Sequence, residues 1–204
     1  MKYFITTRIA TMLLLIMLVT GSCTVVGTLN PIYTNPKEFI IKKELVGKWV
    51  DSKDKSGHLI VDTFVNDYPK SYNLYMISKK DNESTDTTHF VGHLVNNSGS
   101  YFLECWYEIG YDMDDLVIPR HFIAKISFTG KDKLEFSFPD SERLIKLIDE
   151  KKLQLNYAEK IEGEGDKNTS FLITNKSPAL RNAISKMNKY PELFKDKVTL
   201  TRSE

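Results

Sequence analysis

From residue 46 to residue 138 the chain is written as short runs of β-branched and aromatic residues, each cut off by turn chemistry. That spacing constrains the fold more than any other feature. The runs cover residues 46–52, 58–66, 72–79, 88–96, 101–108, 121–128 and 133–138. Between them lie Asp54-Lys55-Ser56-Gly57, Asp67-Tyr68-Pro69, Asp81-Asn82-Glu83-Ser84, Asn96-Asn97-Ser98-Gly99 and Gly130-Lys131-Asp132, all Gly, Pro or Asx turn material. Segments this short, joined this tightly, predict antiparallel neighbours in a meander. Alternation adds a direction. Phe122, Ala124, Ile126 and Phe128 share one face, with Lys125 and Ser127 on the other; Leu134, Phe136 and Phe138 likewise oppose Glu135 and Ser137. One dry face and one wet face predict a sheet closed around, or packed upon, a single core.

Two helices interrupt the strands. Residues 141–151 carry Leu144, Ile145, Leu147 and Ile148 on one stripe, with Asp140 or Ser141 placed to cap it. The second helix opens at Ser177-Pro178, a cap followed by proline in the first turn. It carries Leu180, Ala183, Ile184 and Met187 on its stripe and stops before Pro191. Between the helices, 153–159 and 170–174 predict a hairpin across Gly163-Glu164-Gly165-Asp166, and 198–202 a last strand. The expectation is a mainly β fold: an antiparallel barrel of about 8–10 strands with two short helices, a sandwich being the alternative.

The N-terminus answers a different question. Lys2 and Arg8 make a basic region, and residues 9–19 are an apolar run of eleven broken only by Thr11, the length of a signal-peptide core. Thr20-Gly21-Ser22 supplies small residues directly before Cys23. Small residues ending at a cysteine resemble the lipobox of bacterial lipoproteins, in which that cysteine becomes the lipidated N-terminus. Leu or Val is commoner than Thr at the position of Thr20. The resemblance implies a signal peptide over 1–22, a lipid on Cys23, and attachment to the cell envelope. Thr24 rather than Asp follows the cysteine, which implies the outer membrane, facing the periplasm. Residues 24–36 hold Pro31, Pro36 and two asparagines, and no charge occurs between Arg8 and Lys37. That composition predicts a flexible tether over 23–37 and a folded domain over 38–204.

Without residues 1–22 the chain has 26 basic and 27 acidic side chains, a net charge of −1. So even a balance carries no electrostatic footprint for nucleic acid. About 180 residues suit one domain with a sizeable core, expected to be a monomer. Only Cys23 and Cys105 are present. A lipidated Cys23 cannot form a disulfide, which leaves Cys105 as a lone thiol inside Tyr101-Phe102-Leu103-Glu104-Cys105-Trp106-Tyr107, a setting for an inert core residue.

Gly47-Lys48-Trp49, at the head of the first strand, resembles the Gly-x-Trp motif that opens the barrel in lipocalins and lipocalin-like domains. In that family the tryptophan lies across the barrel floor and an arginine from a late element packs on it; the resemblance implies Arg202 in that role. The wider layout, from Asn30-Pro31 through the hairpins to Pro191-Glu192-Leu193-Phe194 and a final strand ending in Arg202, is similar to a group of uncharacterised lipocalin-like bacterial lipoproteins. The Thr-Asp-Tyr loop motif of the central lipocalins is absent, and Arg202 follows the last helix rather than preceding it.

Reactive chemistry is sparse. No His-Glu-x-x-His, Gly-x-Ser-x-Gly, P-loop or dinucleotide fingerprint occurs, and no enzymatic activity, cofactor or metal is expected. His89 and His93 share a strand face but stand ~13 Å apart at strand rise, too far for one metal, and predict a solvated face. Asp112, Asp114 and Asp115 crowd one loop without the glycine and closing glutamate of a calcium loop. Three readings stand. In the first, the barrel binds a small hydrophobic ligand among Cys105, Phe122, Ala124, Phe128 and Phe136; in the second, the barrel is filled and presents its loops to an envelope protein; the third and least favoured is an enzyme whose site is assembled from distant positions.

Overall fold

The computed structural model describes residues 26–33, 35–53, 56–64, 70–79, 84–107, 121–162 and 168–203. Within these the chain forms β1 (Val26–Thr28), β2 (Gly47–Asp51), β3 (Gly57–Phe64), β4 (Ser71–Lys79), β5 (Thr85–Asn97), β6 (Ser100–Tyr107), β7 (His121–Phe128) and β8 (Lys133–Ser137). Then follow α1 (Ser141–Asp149), β9 (Tyr157–Glu162), β10 (Asn168–Ile173), α2 (Ser177–Met187) and β11 (Lys197–Ser203).

Eight strands close a barrel. β2 to β8 form an antiparallel meander in which each strand pairs with the next, and β11 pairs with both β8 and β2. Closure leaves no free ladder edge in the ring, so every barrel strand finds its hydrogen bonds internally. The fold is a closed, lipocalin-like antiparallel barrel with two helices.

The remaining three strands do not widen it. β9 and β10 form a hairpin, β10 lies parallel to β1, and β1 lies antiparallel to β7. One edge of β7 therefore serves two partners, β8 from Lys125 to Phe128 and β1 at His121 and Phe122. Where β8 ends, the backbone of β7 would otherwise be left unpaired beneath the helices; β1 satisfies it. The expected hairpin also starts later, at Tyr157. Leu153 and Leu155 instead turn into the core with 2% and 7% exposure.

Residues 23–37, expected to form a tether, belong to the fold from Val26 onward. Val26, Ile32 and Phe39 are 4%, 1% and 4% exposed, and the Asn30 side chain donates to the carbonyls of Thr174 and Asn175. An uncharged stretch with two prolines has the composition of a linker, and equally that of a strap pressed into a core. Burial of Ile32 and Phe39 decides the second.

The sheet is apolar on both sides of β5, β6 and β7. Inside the barrel lie Leu45, Trp49, Tyr72, Leu94, Leu103 and Leu134, none more than 2% exposed. Outside it, Val95, Phe102 and Ile123 join Leu144, Leu180, Ile184, Met187 and Phe194 in a second core built by the helices and the β1–β10–β9 sheet. The seam between barrel and helices is tight: a void of about 10 Å³ among Val26, Phe102, Ile123, Ile184 and Phe194 is no more than one water would need.

The helices follow their sequence signals closely. Asp140 caps α1 by accepting from the amide of Arg143 at 2.9 Å, and Leu144 and Leu147 are buried. α1 ends at Asp149. Lys151 adopts φ 58° and the amides of Lys152 and Leu153 turn back to the carbonyl of Leu147. Leu180, Ala183, Ile184 and Met187 are the buried stripe of α2; Ser177 is its first residue and makes no side-chain cap.

Candidate functional site

At one end of the barrel Trp49 and Arg202 stand opposite each other in the β2–β11 ladder. The Arg202 guanidinium carbon lies 4.4 Å from the Trp49 ring centroid, and its nitrogens donate to the carbonyls of Val46 at 2.7 Å and Glu44 at 2.8 Å. Trp49 is 1% exposed and donates its indole N–H to the carbonyl of Leu45 at 2.8 Å. A 3₁₀ turn, Lys43–Leu45, presents the Glu44 carbonyl, Val46 follows as its C-cap, and the turn inserts Leu45, which is wholly buried. Gly47 completes the arrangement at φ 141°: a Cβ there would overlap the Arg202 guanidinium. Beside it the Tyr72 hydroxyl accepts the Lys42 amide at 2.6 Å, while the Lys42 ammonium lies 4.5 Å from the Tyr101 ring centroid. Trp49 and Leu45 form the floor at this end.

The opposite end is different. Tyr101, Leu103, Cys105 and Tyr107 face inward from β6, Phe122, Ala124, Ile126 and Phe128 from β7, and Leu134 and Phe136 from β8, with no charged side chain among them. Val46, Tyr101 and Phe128 are partly buried near the Trp49 end, and a larger group is partly buried towards the other end, the mouth. Ala124 and Ile126 are 2% exposed and Phe136 7%, whereas Leu59, Met76, Cys105, Tyr107, Phe122, Phe138 and Val198 are only half-buried. Phe90, Tyr107 and Phe122 cluster there, with ring centroids 4.4, 5.8 and 6.5 Å apart. Lower down the barrel is packed: a Cβ at Gly92 would stand 2.8 Å from Leu74 Cδ1 and 3.2 Å from Leu103 Cδ1. The five interior positions singled out from sequence thus separate. Phe122 and Cys105 belong to the mouth, Ala124 and Phe136 to the packed interior. Phe128 lies near the floor, its ring 5.6 Å from the Lys42 ammonium.

The barrel has eight strands, a number that side chains alone can fill. Cys105 faces the interior of this barrel. The residue keeps some accessible surface, but its sulfur points into the apolar interior, and that burial, with Glu104 adding to it, pushes the thiol up to about 12. At neutral pH it is an unreactive hydrophobe.

A second group of polar side chains lies outside the barrel, where β5, β6 and β7 meet the strap formed by residues 29–40. His93 is not on a solvated face, as its strand position predicts, but 3% exposed. Phe39 stacks on it with ring centroids 3.7 Å apart, and Tyr33 stands edge-on at 5.1 Å. Neither ring nitrogen of His93 has a hydrogen-bond partner. Glu104, its ladder partner, is wholly buried. Its carboxylate accepts the Ile32 amide at 3.3 Å on both oxygens and lies 2.8 Å from His121 Nδ1. Sequence reasoning singled out neither Glu104 nor His121. The available signal was a carboxylate interrupting Phe102-Leu103-Glu104-Cys105-Trp106 at an outward position, which in a sheet covered on both faces must be buried. No cluster of three or more His, Cys, Asp or Glu side chains among the described residues has the arrangement of a metal site. Asp112, Asp114 and Asp115 lie outside the described residues, as does Cys23.

A solvent-open groove of about 490 Å³ runs between the end of α1 and α2, with Lys151 and Lys186 on its walls and Leu155 and Ala183 among its apolar lining. No family model matches the chain, and comparisons with curated proteins and with solved structures yield no match. The geometry itself must carry the functional reading.

Proposed function

We propose that this protein is a lipid-anchored envelope protein whose barrel takes the apolar end of a small hydrophobic ligand at its mouth. One observation supports the reading above the others: Trp49 and Leu45 plug one end of the barrel, while at the Phe122 end the inward-facing Leu59, Met76, Tyr107 and Phe122 are apolar and only partly buried. Exposed apolar surface in a concave setting is the usual form of a small-molecule site. Close packing at Gly92 blocks the barrel below, so the ligand enters by one end only and its polar part stays at the rim.

The anchoring half of the reading stands on the sequence, in the basic region, the apolar run and the small residues ending at Cys23. Among the described residues no helix is long and apolar enough to cross a membrane. Attachment through Cys23 places the protein on the outer membrane, facing the periplasm, as a monomer.

A second reading is favoured by the close packing at Gly92 and by the Phe90–Tyr107–Phe122 cluster, which together fill much of the interior. In it the barrel is a rigid stand for binding an envelope protein. Native mass spectrometry of the chain after Cys23, incubated with an extract of envelope lipids, separates the two. An added mass that Phe122→Ala or Met76→Ala changes in affinity supports the ligand reading. Absence of any adduct, with retained fold, replaces it with the interaction reading.

A further inference from the structure

The strap of residues 29–40 closes over three titratable side chains, and at its start Leu29 donates to the carbonyl of Ile173 and Asn30 to those of Thr174 and Asn175. Ile32 donates its amide to Glu104, Phe39 stacks on His93 and bridges to Val95, and the Ile40 amide donates to the carbonyl of Leu94 at 2.9 Å. At its edge Glu38 pairs with Arg181 of α2. We propose that the strap is a proton-gated latch, shut while His93 is neutral and the buried Glu104 holds a proton, and released when His93 gains a proton or Glu104 loses its own.

The geometry sets both limits. An imidazolium at His93 would bury two N–H donors that have no acceptor, beneath the Phe39 and Tyr33 rings. From β7, His121 would add a like charge; from β6, Glu104 faces His93 across the ladder; from the strap, Tyr33 is the titratable neighbour. Glu38 and Arg181 neutralise each other at the strap's edge. A bare carboxylate at Glu104 with zero exposure depends on His121 and one amide for all its compensation.

The titrations have opposite signs. Burial, with His121 adding, holds His93 down at about 4 against an ordinary 6.5. Its contribution to closure is complete above 6.5 and is lost as the pH falls towards 4. Burial raises Glu104 above an ordinary 4.5, opposed by His121 and the Ile32 amide. Its contribution is complete below 4.5 and is lost as the pH rises through the raised value. Closure therefore has an acid limb owned by His93 and an alkaline limb owned by Glu104. Release uncovers the outer face of β5 and β6 and frees twelve residues, about 40 Å of extended chain.

Hydrogen exchange in the full chain tests this between pH 4 and 9. The amides of Ile32 and Ile40 report the strap, those of Leu74 and Leu134 the barrel, each corrected for intrinsic exchange. In Glu104→Gln, which keeps an acceptor for Ile32, only the acid limb should remain, with strap opening rising by about 100-fold between pH 7 and 4, most of the displacement of His93 from 6.5 to about 4. In His93→Phe, which keeps the stack on Phe39, only the alkaline limb should remain. His121→Asn serves as a second variant of the pair. Superimposable strap profiles in wild type, His93→Phe and Glu104→Gln overturn the proposal. So does a loss of protection at Leu74 and Leu134 in step with the strap, since the pH would then be unfolding the whole molecule.

Discussion

The guanidinium of Arg202 lies over the indole of Trp49 at 4.4 Å from its centroid, and the same guanidinium closes the carbonyls of Val46 and Glu44. One side chain from the end of the chain thereby joins the last strand to the turn that plugs the floor. Arg202→Ala should be destabilising through the two carbonyls it leaves, and Trp49→Ala should cost more, about 3–5 kcal/mol for a buried large aromatic. A double-mutant cycle by urea denaturation should return a coupling of about 0.5–2 kcal/mol. Strict additivity would mean that the stacked geometry contributes nothing to stability.

Gly47 should tolerate no side chain while Arg202 is present. Its φ of 141° and the guanidinium beside it both oppose a Cβ. Gly47→Ala is expected to cost about 1–3 kcal/mol by backbone strain and overpacking. Because part of that cost is steric overlap with Arg202, adding Arg202→Ala should destabilise the Gly47→Ala protein less than it destabilises wild type.

Cys105 should resist alkylation. With the thiol pushed up to about 12 against an ordinary 9.0, the thiolate fraction at pH 8 falls by about a thousandfold. In a Cys23→Ala chain, where Cys105 is the remaining cysteine, iodoacetamide labelling should be slow at pH 8 in native buffer and fast in urea, and should still be climbing at pH 10. Labelling at the rate of a free thiol would place the sulfur outside the apolar interior.

Ala124→Trp should destabilise rather than merely block the barrel. Ala124 is 2% exposed and sits opposite Leu103, at a level where the interior has no slack. Insertion of so large a ring is expected to cost about 1–3 kcal/mol or more, read as a lower denaturation midpoint. Unchanged stability would reveal space below the mouth and strengthen the ligand reading.

Cys23→Ala should abolish both fatty-acid labelling and membrane recovery in cell fractionation. Retention of label and membrane association together would remove the lipoprotein reading, while leaving the barrel as it is.

Much of the barrel was legible from local chemistry. Residues 121–128 and 133–138 alternate so cleanly that strand, turn and inward face follow from side-chain period alone, and Leu180, Ala183, Ile184 and Met187 mark their helix face in the same way. The candidate mouth was only half legible. Cys105 and Phe122 share an inward face with Ala124 and Phe136, and nothing in the alternation says which of them lies near an open end.

Other features were invisible because they depend on what covers a face. The strand at Val26–Thr28 is too short to announce itself, and its neighbours read as a linker until Ile32 and Phe39 are found buried. His93 and Glu104 look like the wet side of their strands, since the helices and strap that cover them come from distant parts of the chain. By itself, then, the sequence determined the strands, the turns, the inward faces and the helix stripes, because each depends on residues a few positions apart. Tertiary structure alone decided that eight strands close while three stand outside, and which polar groups are sealed away. Those outcomes turn on how one edge of β7 is shared between β8 and β1, a pairing between segments about a hundred residues apart that no local period records.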